Sequence, residues 1–299
     1  MIQSKDIYIG MLCASGSEAL YGLSYLFTKR ATQVLRPFAL LGWRFLLAAA
    51  IMGLLMAFGL PVRLRGRSLK PLFALALFSP CLYFTAETLG IHSTTATESG
   101  VMLACIPVAS VIAAALLLGK RPSGRQVTGI AVTLAGVSLS VCAVGLSSSL
   151  SIGGYLWLLI AVVSYALYSV KVDQASDFSG IEITAAMLFA GAGVFTCLAL
   201  CDAVATGTMY NLLLLPFVDR SVFLAILFQG LGCSIAAFFL ANRAIALIGV
   251  SRTASFIGVS TVVALLAGAL VLREPFSVLQ IIGALIILLG ITIANTQFA

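Results

Sequence analysis

Apolar runs of about twenty residues follow one another along almost the whole chain, and no other feature constrains the fold as strongly. A helix crossing the hydrocarbon core of a bilayer needs about 20 mostly apolar residues. Read with their Gly, Pro and basic breaks, the runs number ten: roughly 7–28, 38–59, 72–91, 96–118, 126–146, 154–174, 182–202, 222–245, 250–272 and 278–297. They are continuous rather than alternating, which favours helices over a barrel. Composition agrees: 61% of the 299 residues are hydrophobic and 9% charged, where soluble domains carry roughly a quarter charged residues. Such a chain lacks the polar surface to cover a core in water, so its outer solvent is lipid. The expected fold class is an all-α integral membrane protein with ten transmembrane helices, spans 1–10 below.

The net charge of +7 raises nucleic acid as a partner, but the placement of the charge argues against it. Basic residues crowd short breaks: Arg63, Arg65, Arg67 and Lys70, then Lys120, Arg121 and Arg125. This is the positive-inside pattern. With the N-terminus in the cytoplasm, the inner loops and Lys5 collect most of the cations, and loops 3–4 and 5–6 hold none. Lys29, Arg30 and Arg36 run against the pattern. Ten spans return the C-terminus to the cytoplasm of a protein expected in the cell's inner (plasma) membrane. Span 1 is too long for the core of a cleavable signal, and no cleavage site follows it.

Several chemistries are not expected. The seven cysteines all fall within spans, where they read as small apolar packing residues. The single histidine, His92, rules out a His-rich metal centre and has no nucleophile beside it. Gly119-Lys120-Arg121 lacks the spacing of a phosphate-binding loop, and no large soluble segment exists to bind ATP. No cofactor is expected.

The chain repeats itself. "LLLGKRPSGRQVTGIAVTLAGVSLSV" (116–141) realigns onto "LVLREPFSVLQIIGALIILLGITIAN" (270–295) at a shift of 154. Gln126, Gly129 and Gly136 recur as Gln280, Gly283 and Gly290, and glycines so spaced let helices approach closely. Upstream, "ALYGLS" corresponds loosely to "YALYSV". Two halves follow, 1–149 and 150–299, of five spans each. Five is odd, so the second half enters the membrane from the opposite side, an inverted repeat typical of secondary transporters.

"YGLSYLFTK" (21–29) with "RFLLAAA" (44–50), the stretch 83–119 and "ASFIGVSTVVALLAGALVLREP" (254–275) carry a resemblance to the EamA type of the drug/metabolite transporter superfamily. The sequence departs from that pattern at Lys120-Arg121, where the family usually has Glu, and at Thr261, where it often has Pro. The resemblance implies a ten-helix exporter or exchanger of amino acids or other metabolites, with drug and nucleotide-sugar carriers among the relatives. The amino acid exporting subgroup is the match it suggests.

Glu18 breaks an otherwise uncharged stretch from Ile7 to Thr28. An ionised carboxylate at the bilayer centre costs about 2.5–3.5 kcal/mol on insertion scales, so it is expected to face the bundle interior. Ser15, Glu18, Tyr21, Gly22 and Tyr25 share one helix face. In shorter members of the superfamily a carboxylate in the first helix binds protons and cationic substrates, and the resemblance implies a like role for Glu18. The alternative is a protonated Glu bonded to a neighbouring helix. Span 3 offers Pro80, Tyr83, Glu87 and Gly90 on one face, Glu87 either joining the site or snorkelling. Tyr165 and Tyr168 mirror the aromatic face of span 1. Asn242 and Arg243, deep in span 8, are cavity or counter-ion candidates. Arg44 and Lys171 lie within a turn or two of span ends and are expected to snorkel. Glu98 and Arg252 are equivalent under the 154 shift and fall on opposite membrane sides, as gate charges or simple helix-end charges.

The function these features support is a secondary transporter exporting a small metabolite, an amino acid first, by alternating access, with protons as a further partner. A cationic drug or nucleotide-sugar carrier is the alternative. An intramembrane enzyme built on Glu18 and Glu87 fits less well, because duplication with inversion serves two-sided access. Spans 1, 3, 4, 6, 8 and 9 are expected to line a central cavity that wets Glu18, and spans 5 and 10 to lie peripherally or against each other. Four basic residues in the 61–71 loop place it in the cytoplasm. Cysteines introduced there should resist labelling by an impermeant thiol reagent applied to intact cells and react after permeabilisation.

Overall fold

The computed structural model describes residues 4–62, 67–119, 121–144, 151–175, 177–272 and 277–295, which are helical nearly throughout, with no strand among them. Arg63, Arg65, Lys120 and the link between the halves at 145–150 lie outside the described residues. Span 1 is Ser4–Ala31, span 2 Pro37–Ala57 and span 3 Lys70–Ser93. Span 4 comprises Ala96–Leu103 and Ile106–Leu118, with span 5 at Gly124–Val144 and span 6 at Ile152–Gln174. Span 7 is Gly180–Thr206 and span 8 Arg220–Ile248. Span 9 comprises Val250–Ser255, Ile257–Ala267 and the π-helical turn Gly268–Leu272, and span 10 is Val278–Asn295. Large apolar side chains such as Leu12, Phe73, Leu116 and Leu285 stand exposed around the outside, as a lipid-facing surface requires.

One helix is absent from the ten-run reading. Met209–Val218 lies between spans 7 and 8 and packs on both. It was hidden because its apolar run is too short to cross a bilayer and is interrupted by Pro216. The Trp43 indole donates to the Leu212 carbonyl at 2.8 Å and ties this helix to span 2, while Tyr210, Phe217 and Val218 remain exposed.

Packing comes in equivalent pairs when the halves are exchanged. Span 1 lies on spans 8 and 9 as span 6 lies on spans 3 and 4; span 2 runs along span 7, and span 5 along span 10. The direction of each half follows from span 1. Near its start, Gly10 abuts Ile248 at the end of span 8. Near its end, the Lys29 ammonium donates to the carbonyls of Ile91, His92 and Thr94 at the end of span 3. The equivalent spans 3 and 8 therefore finish at opposite ends of the molecule, and the repeat is inverted.

Two local devices recur at the same shift. Ser123 and Gln126 exchange backbone and side-chain hydrogen bonds at the start of span 5, and Ser277 and Gln280 do the same at span 10. These are capping boxes, which satisfy backbone N–H groups left open at a helix start. The recurring glutamine thus serves the helix ends. The glycines bring spans 5 and 10 together: a methyl group on Gly136 would lie 2.6 Å from the Gly283 carbonyl oxygen, and one on Gly129 2.6 Å from that of Gly290. Backbone yields little, so Gly136→Ala should destabilise the purified protein by about 1–3 kcal/mol. Gly53, with open space around its Cα, is the control. Thermal unfolding in detergent should place Gly53→Ala at or above wild type and Gly136→Ala well below it.

A buried polar centre between the halves

Span 1 turns the face bearing Glu18, Tyr21 and Tyr25 towards spans 3, 6, 8 and 9. Glu18 is 3% exposed and Glu87 also 3%, and the two carboxyl groups lie near enough for their charges to act on one another. The Tyr83 hydroxyl donates to Glu87 Oε1 at 2.6 Å, one helical turn away. Ser260 of span 9 interacts with both the Glu18 carboxyl and the Tyr25 hydroxyl. Across the centre, the Tyr168 hydroxyl donates to Asn242 Oδ1 at 2.5 Å, and Asn242 Nδ2 donates to Thr184 Oγ1 at 2.9 Å. One chain of hydrogen bonds thus joins spans 6, 8 and 7.

Aromatic rings connect these groups. Centroids are 5.5 Å apart for Tyr165–Tyr168, 5.4 Å for Tyr83–Tyr165, 4.8 Å for Tyr83–Phe84 and 5.4 Å for Phe84–Phe238. Tyr21 meets Phe238 at 6.4 Å. Phe84 and Phe238 are 154 residues apart, so two equivalent rings meet across the interface between the halves. The sequence reading expects a cavity that wets Glu18; here its side chain is almost fully buried beside these groups.

Arg44 corrects the sequence reading. Far from snorkelling, its side chain is 1% exposed. Its Nε donates to Ser234 Oγ at 2.8 Å and Nη1 to Gln229 Oε1 at 3.2 Å. The guanidinium carbon stands 4.2 Å from the Phe84 ring centroid and 5.4 Å from that of Phe45, a cation–π arrangement. Both polar partners lie on the π-helical stretch Phe228–Ala237 of span 8. The equivalent stretch of span 3, Leu77–Leu82, is instead a kink, in which Ser79 takes extended backbone just before Pro80. The π-helical turn of span 8 is of a kind frequent at functional sites, because it rotates side chains off the regular helical register.

The other candidates fall elsewhere. Arg243 is exposed, about 100° round the helix from Asn242. Lys171 reaches Gln174 at the exposed end of span 6, as a snorkelling lysine would. Glu98 forms a capping box with Thr95 at the start of span 4 and accepts from the Tyr155 hydroxyl at 3.1 Å. Its equivalent Arg252 is half-buried at the start of span 9, at the other end of the molecule. Thr261, where the resembled family often has Pro, donates to the Gly100 carbonyl at 2.9 Å and joins span 9 to span 4. From span 4, Gly100 lies against the Tyr25 ring. The cations that oppose the positive-inside pattern are engaged: Lys29 as above, Arg30 on the Val271 carbonyl at 3.1 Å, and Arg36 on Asp202 at 2.5 Å.

Ten spans in two inverted halves, closing on a buried polar centre where the halves meet, define a membrane transporter of the inverted-repeat class. The chain belongs to the EamA-like transporter family, whose profile matches residues 8–142 and again 152–296. It is 31% identical over 296 residues to "Uncharacterized transporter YcxC" of Bacillus subtilis (strain 168), covering 98% of this chain and 94% of that one. An "Uncharacterized transporter" of Archaeoglobus fulgidus is 26% identical over 276 residues, covering 91% of this chain and 94% of its own. One solved crystal structure superposes with a TM-score of 0.73 over 98% of this chain and 97% of that one. At 21% identity that likeness speaks for the fold alone.

The hydrogen bond between Tyr168 and Asn242 is buried and joins spans 6 and 8. A double-mutant cycle of Tyr168→Phe with Asn242→Ala, read by thermal unfolding in detergent, should give a coupling of about 0.6–1.7 kcal/mol.

Proposed function

We propose that this protein exports small amine-bearing metabolites, amino acids first among them, across the inner membrane by alternating access. The observation that carries the reading is the convergence of Glu18, Glu87 and four tyrosines, Tyr25, Tyr83, Tyr165 and Tyr168, from both halves at one buried point. A carboxylate and tyrosine faces suit an ammonium group by charge and by cation–π contact. Their place between inverted halves suits a site opened to each side in turn. Both termini are cytoplasmic on this reading. Support comes from the greater number of cations at one end of the bundle, Arg67, Lys70, Arg121, Arg125 and Arg252, against Lys29, Arg30, Arg36 and Arg220 at the other. A cationic drug carrier would use the same carboxylates and is the second reading.

On this mechanism a proton and the substrate ammonium compete for Glu18. Acidifying the loading side therefore lowers loading, and acidifying the release side speeds release. Glu18→Gln keeps the shape and hydrogen bonding of the protonated carboxyl. In proteoliposomes given a panel of radiolabelled amino acids, the variant should insert normally but lose most flux or its pH dependence. Wild-type flux at every pH in Glu18→Gln would end the proposal and favour a carboxyl locked permanently to its neighbours.

A further inference from the structure

The carboxylates account for an ammonium site; they leave Arg44 without a purpose. A guanidinium carries five N–H donors and cannot shed its charge in a protein. Arg44 is buried with only two neutral oxygen partners, Ser234 and Gln229. Its Nη2 has no hydrogen-bond partner, and the ion pairs among the described residues, Arg36 with Asp202 and Arg67 with Glu182, do not include it. The Phe84 and Phe45 rings stand against the group, with centroids 4.2 and 5.4 Å from its central carbon. Its charge acts on Glu87 and Cys233, so it belongs to the same centre as the carboxylates. A second buried group there is also unpartnered, the hydroxyl of Tyr165, on which the charge of Glu18 acts.

A buried guanidinium with an open N–H and no carboxylate within salt-bridge reach among the described residues is costly, and the planar fork of arginine matches a carboxylate better than any other side chain does. We propose that Arg44 Nη2 is the anchor for the carboxylate of the transported molecule, with Glu18 and the Tyr165 hydroxyl taking its ammonium group. The site would then select zwitterions over amines bearing the same side chain. This rests on the amino acid reading and narrows it: a carrier for cationic drugs gains nothing from a fixed positive charge beside its substrate.

The test compares pairs that differ only by the carboxylate, phenylalanine with phenethylamine and leucine with 3-methylbutylamine, in proteoliposomes of wild type, Arg44→Gln and Arg44→Lys. Wild type should carry each amino acid at least about tenfold faster than its amine. Arg44→Gln should cut that preference by roughly tenfold to a hundredfold, the range for losing a charge-assisted hydrogen bond, while amine flux persists. Arg44→Lys keeps the charge without the fork and should fall between; it also serves if Arg44→Gln does not insert. A preference unchanged in Arg44→Gln, or in Arg44→Lys should the first not fold, overturns the anchor. So does a wild type that carries the amines but not the amino acids. If wild type carries neither, the export reading fails, and thermal shifts of detergent-purified protein with acetate, succinate and the same amino acids decide the anchor alone. Stabilisation by carboxylates that is lost in Arg44→Gln sustains it, and no stabilisation of wild type overturns it.

Discussion

Charge has nowhere to go in hydrocarbon, and this bundle holds three ionisable side chains at its centre. Glu18, Glu87 and Arg44 are each almost fully buried, so neither lipid headgroups nor bulk water can solvate them. The surrounding side chains stand in for that solvent. Tyr83, Ser234 and Gln229 supply hydrogen-bonding partners, and Phe84 supplies a ring beside the guanidinium, while Ser260 stands next to the Glu18 carboxyl. The groups come from spans 1, 2, 3, 8 and 9, so the centre exists only when both halves are assembled. Polar satisfaction and helix packing are therefore one requirement here.

The backbone is symmetric while the chemistry is not. "ALYGLS" and "YALYSV" place Tyr21 opposite Tyr168 in the two halves, and Glu18 then corresponds to Tyr165. Both carboxylates and the arginine come from the first half; the second brings tyrosine, asparagine, glutamine and serine. On the alternating-access reading, equivalent helix contacts on the two sides favour two arrangements of similar packing energy, and the unequal chemistry is what a ligand would use to bias them.

Most of the fold is legible in the sequence because lipid leaves few choices: a long apolar run must be a helix, and an odd repeat must invert. The site was legible where a charge breaks such a run, as at Glu18 and Glu87. Arg44 was missed because it lies only two turns inside span 2, where a long side chain ordinarily climbs to the interface. What holds it is a pair of neutral side chains 185 and 190 residues away, and no local pattern announces them. Arg243 fails for the opposite reason: being next to Asn242 in the chain puts it on a different face of the helix.

The capping boxes at Ser123 and Ser277 stand on opposite faces of the membrane yet use the same four-residue pattern. A cap answers only to the direction of its own helix; it is indifferent to which compartment it meets. The same holds for the glycine spacing that joins spans 5 and 10. A five-helix segment written in this local grammar folds equally well whichever way round it is threaded. What must differ between the two copies is the distribution of lysine and arginine in the loops. Duplication therefore demands little new folding information, and the two copies stay free to diverge in chemistry where they meet.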